Sequence, residues 1–202
     1  IEEMFQKFNQ ALLASKFRPE LEKHYGALIF KKAEISARAF SPEILDLMQE
    51  ENQLASQYQK LYASGMVEFR GEKLPLPKLG PYMESPDRTT RREAYAARAS
   101  FFEANRAELD ELYGKLIRCR NEQGRRLGHK NYIQLGYDRL GRNCYTPEDV
   151  AAFREQIARD MVPIVAERKQ AQKERIDVDR ICLYDDKFLF PDGNAKPEGT
   201  AE

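Results

Sequence analysis

A chain of 202 residues is long enough to bury one substantial core or two small ones. Lys+Arg and Asp+Glu stand at 33 each, charged residues make up 33%, hydrophobic ones 42%, and mean hydropathy is −0.71. Zero net charge sets aside a global field for nucleic acid or anionic lipid, and no apolar run approaches the ~20 residues of a membrane span. Ile1-Glu2-Glu3 supplies neither a charged n-region nor an apolar h-region, so no signal peptide is expected. The missing initiator Met and an opening inside a helical pattern are what a piece cut from a longer polypeptide would show. Cys119, Cys144 and Cys182 are odd in number and widely spaced. They are expected to be reduced thiols of a cytoplasmic protein rather than a disulfide framework.

Met4, Phe5, Phe8, Leu12 and Leu13 fall near helical spacing, which predicts a first helix ending before Pro19. Leu21, Tyr25, Leu28 and Ile29 make a second stripe within Glu20 to Lys32, and Ile35 to Phe40 is ambiguous. Three stretches share one start signal: Ser41-Pro42-Glu43, Ser85-Pro86-Asp87 and Thr146-Pro147-Glu148. Each places a hydroxyl at the N-cap, Pro at the first helical position and an acid facing the positive end of the helix dipole. The first of these helices carries Ile44, Leu47, Met48, Leu54, Tyr58, Leu61 and Tyr62, with Glu51 interrupting the stripe, and stops at Gly65. In residues 66–79 Val67 and Phe69 alternate with Glu68, Arg70-Gly71-Glu72 turns the chain, and Pro75 and Pro77 suit an edge, so a small hairpin is expected.

The second start opens a predicted helix from Ser85 to about Leu127, with Tyr95, Phe102, Leu109 and Leu116 every seventh residue and Leu112 and Cys119 offset by three. Gly128 is placed to end it. Asn131 to Leu140 reads as a short helix with Tyr132, Leu135 and Leu140 inward, closed by Gly141. The third start opens a helix with Val150, Phe153, Ile157, Met161, Ile164 and Val165 on one face. A kink is expected at Pro163, which removes the bond to the carbonyl of Arg159. From Ile181 the pattern dissolves into a short apolar stretch, Pro191-Asp192-Gly193-Asn194 and a polar tail. The fold class expected is mainly α, a multi-helix bundle-like domain with one small β-hairpin near 66–79.

Chemistry is sparse. The two histidines, His24 and His129, have no i, i+4 partner and no Cys-x-x-Cys replaces one, so unless carboxylates alone bind it no transition-metal site is expected. Glu50 and Glu51 do not share a helix face, although Glu51, on the apolar stripe, suits a partly buried and paired carboxylate. Asp185-Asp186 reads as turn chemistry between strand-like pieces. Arg88, Arg91, Arg92 and Arg98 form one basic stretch and Arg118, Arg120, Arg125, Arg126 and Lys130 another. Both are interleaved with acids rather than aromatics, as solvated helix faces are, and nucleic-acid binding is not expected.

Taken in order, several pieces resemble one family. They are Ser85-Pro86-Asp87-Arg88 with Arg91-Arg92, Phe101-Phe102, Leu127-Gly128-His129-Lys130-Asn131-Tyr132, Tyr137-Asp138-Arg139-Leu140-Gly141-Arg142 and Tyr145-Thr146-Pro147-Glu148-Asp149-Val150. Pro163, Tyr184-Asp185, Phe190-Pro191-Asp192-Gly193-Asn194 and, upstream, Phe40-Ser41, Glu51-Asn52 and the Phe69 to Leu79 hairpin continue the series. The set resembles the oligoendopeptidase F family of zinc metallopeptidases, related to thimet oligopeptidase; His129 stands where that family usually has an aromatic. The resemblance implies a largely helical enzyme enclosing a deep channel and cutting short peptides, with its zinc helix, H-E-x-x-H, downstream of the matched segment. It therefore implies that 1–180 is a non-catalytic channel wall and 181–202 a connector to a zinc module outside this chain. Zinc would belong to the parent protein, and the fragment alone would be inactive and prone to non-native self-association. No catalytic, metal or substrate-binding residue is carried onto a position here. The alternative, from a different class, is a helical protein-interaction module that never belonged to an enzyme.

Overall fold

The structure, a computed structural model, describes residues 2–194; the polar tail expected beyond them lies outside the described residues. Helices α1 (Glu2–Leu13), α2 (Arg18–Tyr25), α3 (Leu28–Arg38) and α4 (Leu45–Ala63) come first, followed by strands β1 (Met66–Phe69) and β2 (Glu72–Pro75). Then come α5 (Gly80–Met83), α6 (Arg88–Ala104), α7 (Arg106–Arg126), α8 (Tyr132–Arg139), α9 (Pro147–Gln156) and α10 (Val162–Arg175). The mainly α class with one hairpin is what the sequence patterns imply. The chain divides into two compact units: Ile1–Tyr58 with Glu111–Val150, and Gln59–Asp110 with Ala151–Glu202.

In the first unit α1 packs on α3 and α3 on α8. The buried apolar side chains include Phe30, Ala33 and Ile35 of α3, Leu47 and Leu54 of α4, Leu112, Leu116 and Cys119 of α7, and Leu135 of α8. Leu47 and Leu54 lie two turns apart, and Leu112, Leu116 and Cys119 follow the i, i+4, i+7 rule that puts side chains on one helix face. Each fully buried aliphatic or aromatic side chain of this kind contributes about 1.5–3 kcal/mol. The stripe expected over Glu20 to Lys32 is two helices, not one, because the chain breaks at Gly26 (φ 84°). Ile35, ambiguous in sequence, is helical and buried.

The junction after α7 depends on a close approach. Gly124 sits in α7 where an added Cβ would lie 2.4 Å from the carbonyl oxygen of Asn131, so only glycine lets the incoming strand of backbone lie against the helix. Gly128 ends α7 as expected, its N–H donating to Arg125 O and that of His129 to Gly124 O. Helix α8 then starts on two amide side chains: Asn131 Oδ1 accepts the Ile133 N–H and Asn121 Oδ1, from α7, accepts that of Tyr132. Leu135 is buried as expected, whereas Leu140 is exposed because it lies past the last turn of α8.

In the second unit the hairpin pairs Met66 with Pro75 through Phe69 with Glu72, turned by Arg70 (φ 52°) and Gly71 (φ 82°). Two consecutive positive φ angles give the turn whose twist matches that of paired strands. Val67 and Phe69 face inward and, with Leu76, Leu79, Ala94 and Phe101, form a buried cluster. Pro77 lies in a 3₁₀ turn (Leu76–Leu79), not in the second strand.

The start signals at Ser41 and Thr146 are used as written. Ser41 Oγ accepts the Glu43 N–H, and Thr146 and Asp149 exchange hydrogen bonds through side chain and backbone. At the second start the cap moves two residues on: Asp87, not Ser85, accepts the N–H groups of Thr89 and Thr90. The long helix predicted to follow is two, α6 and α7. Asn105 interrupts it by turning its own amide onto the carbonyl of Phe101 (2.7 Å), a local bond that competes with the helix ladder. The irregularity expected at Pro163 takes the form of a π turn, Ile157–Met161, in which the Val162 N–H reaches back to Ile157 O. Phe153, Ile157, Met161, Ile164 and Val165, the apolar face of α9 and α10, are exposed. No helix among the described residues is long and apolar enough to cross a membrane.

Candidate functional site

Three acidic residues are held inside the units, Glu51 and Asp138 on α-helices and Asp185 in a 3₁₀ turn. Glu51 lies one turn beyond Leu47 on α4. Arg120 Nε donates to its Oε1 (2.7 Å), and Arg139 Nη1 and Gln123 Nε2 donate to its Oε2 (both 2.9 Å). Gln123, fully buried, also donates to Leu47 O, accepts from Arg139 through its own oxygen, and shares Leu47 O with the Cys119 thiol. Burial pushes the Glu51 carboxyl up, but the hydrogen bonds of Arg120 and Gln123 and the charge of Arg139 outweigh it and hold it below the ordinary carboxylate range. Burial pushes the Cys119 thiol up, away from the thiolate form a nucleophile needs. Both oxygens of Glu51 are engaged, which suits a structural tie and not a proton carrier.

Asp138, on α8, is 4% exposed. It stands three residues after buried Leu135, on the inward face of the helix. Its Oδ1 accepts from Arg38 Nη2 and from Gln134 Nε2, both at 3.2 Å. Its Oδ2 is buried and has no hydrogen-bond partner among the described residues. Asp138 lines a cleft of about 600 Å³, walled also by Phe5, Ile35, Ser36, Met48 and Tyr132, and is among the residues lining a second of about 500 Å³.

In the second unit Asp185 is fully buried in the 3₁₀ turn Leu183–Asp185. Arg88 grips it with two bonds (3.1 and 2.9 Å), Arg91 Nη2 adds one at 2.9 Å, and the Cys182 N–H adds another at 3.0 Å. Arg91, 1% exposed, also donates to the carbonyls of Tyr184, Ser85 and Pro86 and lies over the Phe188 ring at 3.9 Å. Burial pushes the Asp185 carboxyl up; the bonds from Arg88 and Arg91 outweigh this and hold it below the ordinary value.

Arg88 and Arg91 are therefore not part of a solvated helix face, as their sequence context suggests, but clamps on a carboxylate 94 to 97 residues away. The pieces around Asp185 are a 3₁₀ turn and not strand-like. Asp186, beside it, is exposed and meets Lys169. Glu50 and His24 are exposed, His129 is half-buried, and the structure brings neither histidine to a carboxylate or thiol cluster. Asp138 is visible in sequence only as part of Tyr137-Asp138-Arg139. Its three-residue spacing from an inward leucine is the signal that could have marked it.

Zinc held by protein requires three or four His, Cys or carboxylate donors converging on one point. Among the described residues no group of three or more His, Cys, Asp or Glu is so placed, and Glu51 and Asp185 are saturated by cations. Among the described residues the His, Cys, Asp and Glu side chains do not converge as a zinc site requires.

Residues 1–40 match the Peptidase M3 N-terminal domain and residues 81–191 match Peptidase family M3. No curated protein matches. Among solved structures the chain is similar to one assigned as oligoendopeptidase F (42% identity, TM-score 0.94, 99% of this chain and 35% of that one). It is also similar to PZ peptidase A with inhibitor 2 (41%, 0.94, 99% and 36%) and to an assigned oligoendopeptidase F from Bacillus anthracis str. Ames (38%, 0.92, 99% and 37%). The chain thus spans little more than a third of each of these structures. The ordered family matches cover both units, and on that ground the chain belongs to peptidase family M3.

Proposed function

We propose that this chain is the non-catalytic helical portion of a zinc-dependent oligoendopeptidase that hydrolyses short peptides. The observation that carries the reading is one of proportion: 99% of the chain follows oligoendopeptidase structures at 38–42% identity, yet it accounts for only 35–37% of their length. No zinc-like donor group converges among the described residues, which supports the same division, and in this reading the ligands and general base that hydrolysis by a zinc-bound water needs come from outside this chain. In this reading 1–180 helps wall a substrate channel, 181–202 leads toward the zinc module, and the parent enzyme works in the cytoplasm. The exposed apolar face of α9 and α10 suits a scaffold that packs against further chain, because apolar area of that extent left in water favours association.

The chain's own contribution is geometric. Carboxylate–arginine ties such as Glu51–Arg139 and Asp185–Arg91 fix helices and turns far apart in sequence, so a cavity bounded by them keeps its shape without chemistry of its own. Sequencing the gene past the codon for Glu202 tests the reading. An H-E-x-x-H coding motif within about the next hundred codons is expected, given the two-histidine spacing a zinc helix requires; a reading frame that continues without one overturns the assignment.

A further inference from the structure

The cleft of about 600 Å³ in the first unit offers a ligand unpaired charge of one sign only. On α3, Lys32, Ile35, Ser36 and Ala39 line it at i, i+3, i+4 and i+7, the spacing that puts side chains on one helix face. Helix α1 adds Phe5, α4 adds Met48, and α8 adds Arg139. The two carboxylates of the lining are not available. Glu51 has both oxygens engaged by Arg120, Gln123 and Arg139. Asp138 has one oxygen on Arg38 and Gln134 and the other buried, out of reach of anything in the cleft. The cations differ. Lys32 is exposed and has neither ion pair nor hydrogen bond among the described residues. Arg139 is fixed through its two terminal nitrogens by Glu51 and Gln123, and its Nε meets no acceptor among the described residues. Lys32, Arg38, Arg120 and Arg139 thus stand against two carboxylates, and positive charge is left over.

We propose that the cleft binds a monocarboxylate with an apolar tail of medium length, the carboxylate on Lys32 and the tail against Phe5, Ile35, Phe40 and Met48. Ligand sites between the helices of a bundle are of this kind, mostly apolar clefts of roughly 300–1,000 Å³ with a few polar groups that orient the occupant. An ammonium on a carboxylate makes a charge-assisted bond, roughly twice as strong as one between neutral groups. Asn52, exposed on the same lining and without a hydrogen bond among the described residues, offers its amide to the second oxygen. A cationic amphiphile would meet Lys32 with like charge, and inorganic phosphate would leave the apolar wall uncovered. The ligand is not a peptide, and the site needs nothing from the oligopeptidase reading.

Calorimetric titration of the whole 202-residue chain at low salt tests this with octanoate and octylammonium, which have similar tails and opposite charges. Octanoate is expected to bind with a Kd below about 10 mM, and at least about tenfold more tightly than octylammonium. Lys32→Gln, a change on an exposed side chain that leaves stability within about 0.5 kcal/mol, is expected to weaken octanoate at least about fivefold. The comparison of the two probes uses the unaltered chain, so it does not depend on any variant folding. Phe153→Glu with Met161→Glu disrupts the exposed apolar face of α9 and α10, where an amphiphile would also adhere, and octanoate binding is expected to survive it unchanged. Equal binding of the two probes, no binding of octanoate up to about 10 mM, or an affinity untouched by Lys32→Gln overturns the site. Loss of octanoate binding in the double variant places the ligand on that face and overturns it as well.

Discussion

Replacing Asp185 with alanine should cost the second unit about 3–4 kcal/mol, within the range for removing one partner of a buried ion pair. The structure apportions the loss. Arg91, 1% exposed, loses the carboxylate on Nη2 but keeps the carbonyls of Ser85, Pro86 and Tyr184 and the Phe188 ring, which holds the loss toward the lower end. Arg88 has a side chain 40% exposed and keeps Arg180 O, so its share is at most about 1 kcal/mol after solvent screening. The Cys182 N–H loses its cap, worth about another 1 kcal/mol. Urea unfolding followed by circular dichroism gives the total. A double-mutant cycle with Arg91→Met isolates the pair, with a coupling of at least about 1.5 kcal/mol expected. A loss below about 1 kcal/mol for Asp185→Ala, or additive single changes, would refute the view that this pair ties Leu183–Asp185 to α6.

Acid should act through the same ties. Glu51 and Asp185 have folded pKa values below their ordinary 4.5 and 3.8. Their contribution is therefore complete above those ordinary values and is lost as pH falls through the depressed folded ones. Urea midpoints should drop between roughly pH 5 and pH 2, with a shallower drop in Asp185→Ala; a flat profile would count against both ties. Gly124→Ala forces Asn131 off α7, since its Cβ would lie 2.4 Å from that carbonyl. Overpacking of this kind costs about 1–3 kcal/mol, and a thermal melt should fall by about 2–10 °C, an unchanged melt contradicting the close approach. Phe153→Glu with Met161→Glu, both exposed, should reduce concentration-dependent association in sedimentation velocity while changing stability by less than about 0.5 kcal/mol.

Local rules made much of this fold legible. Pro and hydroxyl caps marked Ser41 and Thr146, Gly128 marked the end of α7, and Val67–Glu68–Phe69 with Arg70-Gly71 marked the hairpin. These signals act within a few residues, where side chain and backbone meet directly. What failed were continuity and long-range pairing. A seven-residue seam did not reveal that Asn105 would take the carbonyl of Phe101, and acids interleaved with arginines concealed that Arg91 is buried on Asp185, 94 residues on. Charge on a helix face looks the same in sequence whether its partner is water or a distant carboxylate. Asp138 was hidden for the same reason, its unmet oxygen being a property of where α8 lies and not of the residues beside it.

In the proposed reading the chain supplies scaffold for a zinc peptidase whose metal ligands lie elsewhere. Metal analysis of the purified chain, equilibrated with zinc and then dialysed, tests it most directly. Far less than one zinc per chain is expected, whereas about one tightly held zinc per molecule, as a three- or four-ligand protein site would retain, would contradict that reading.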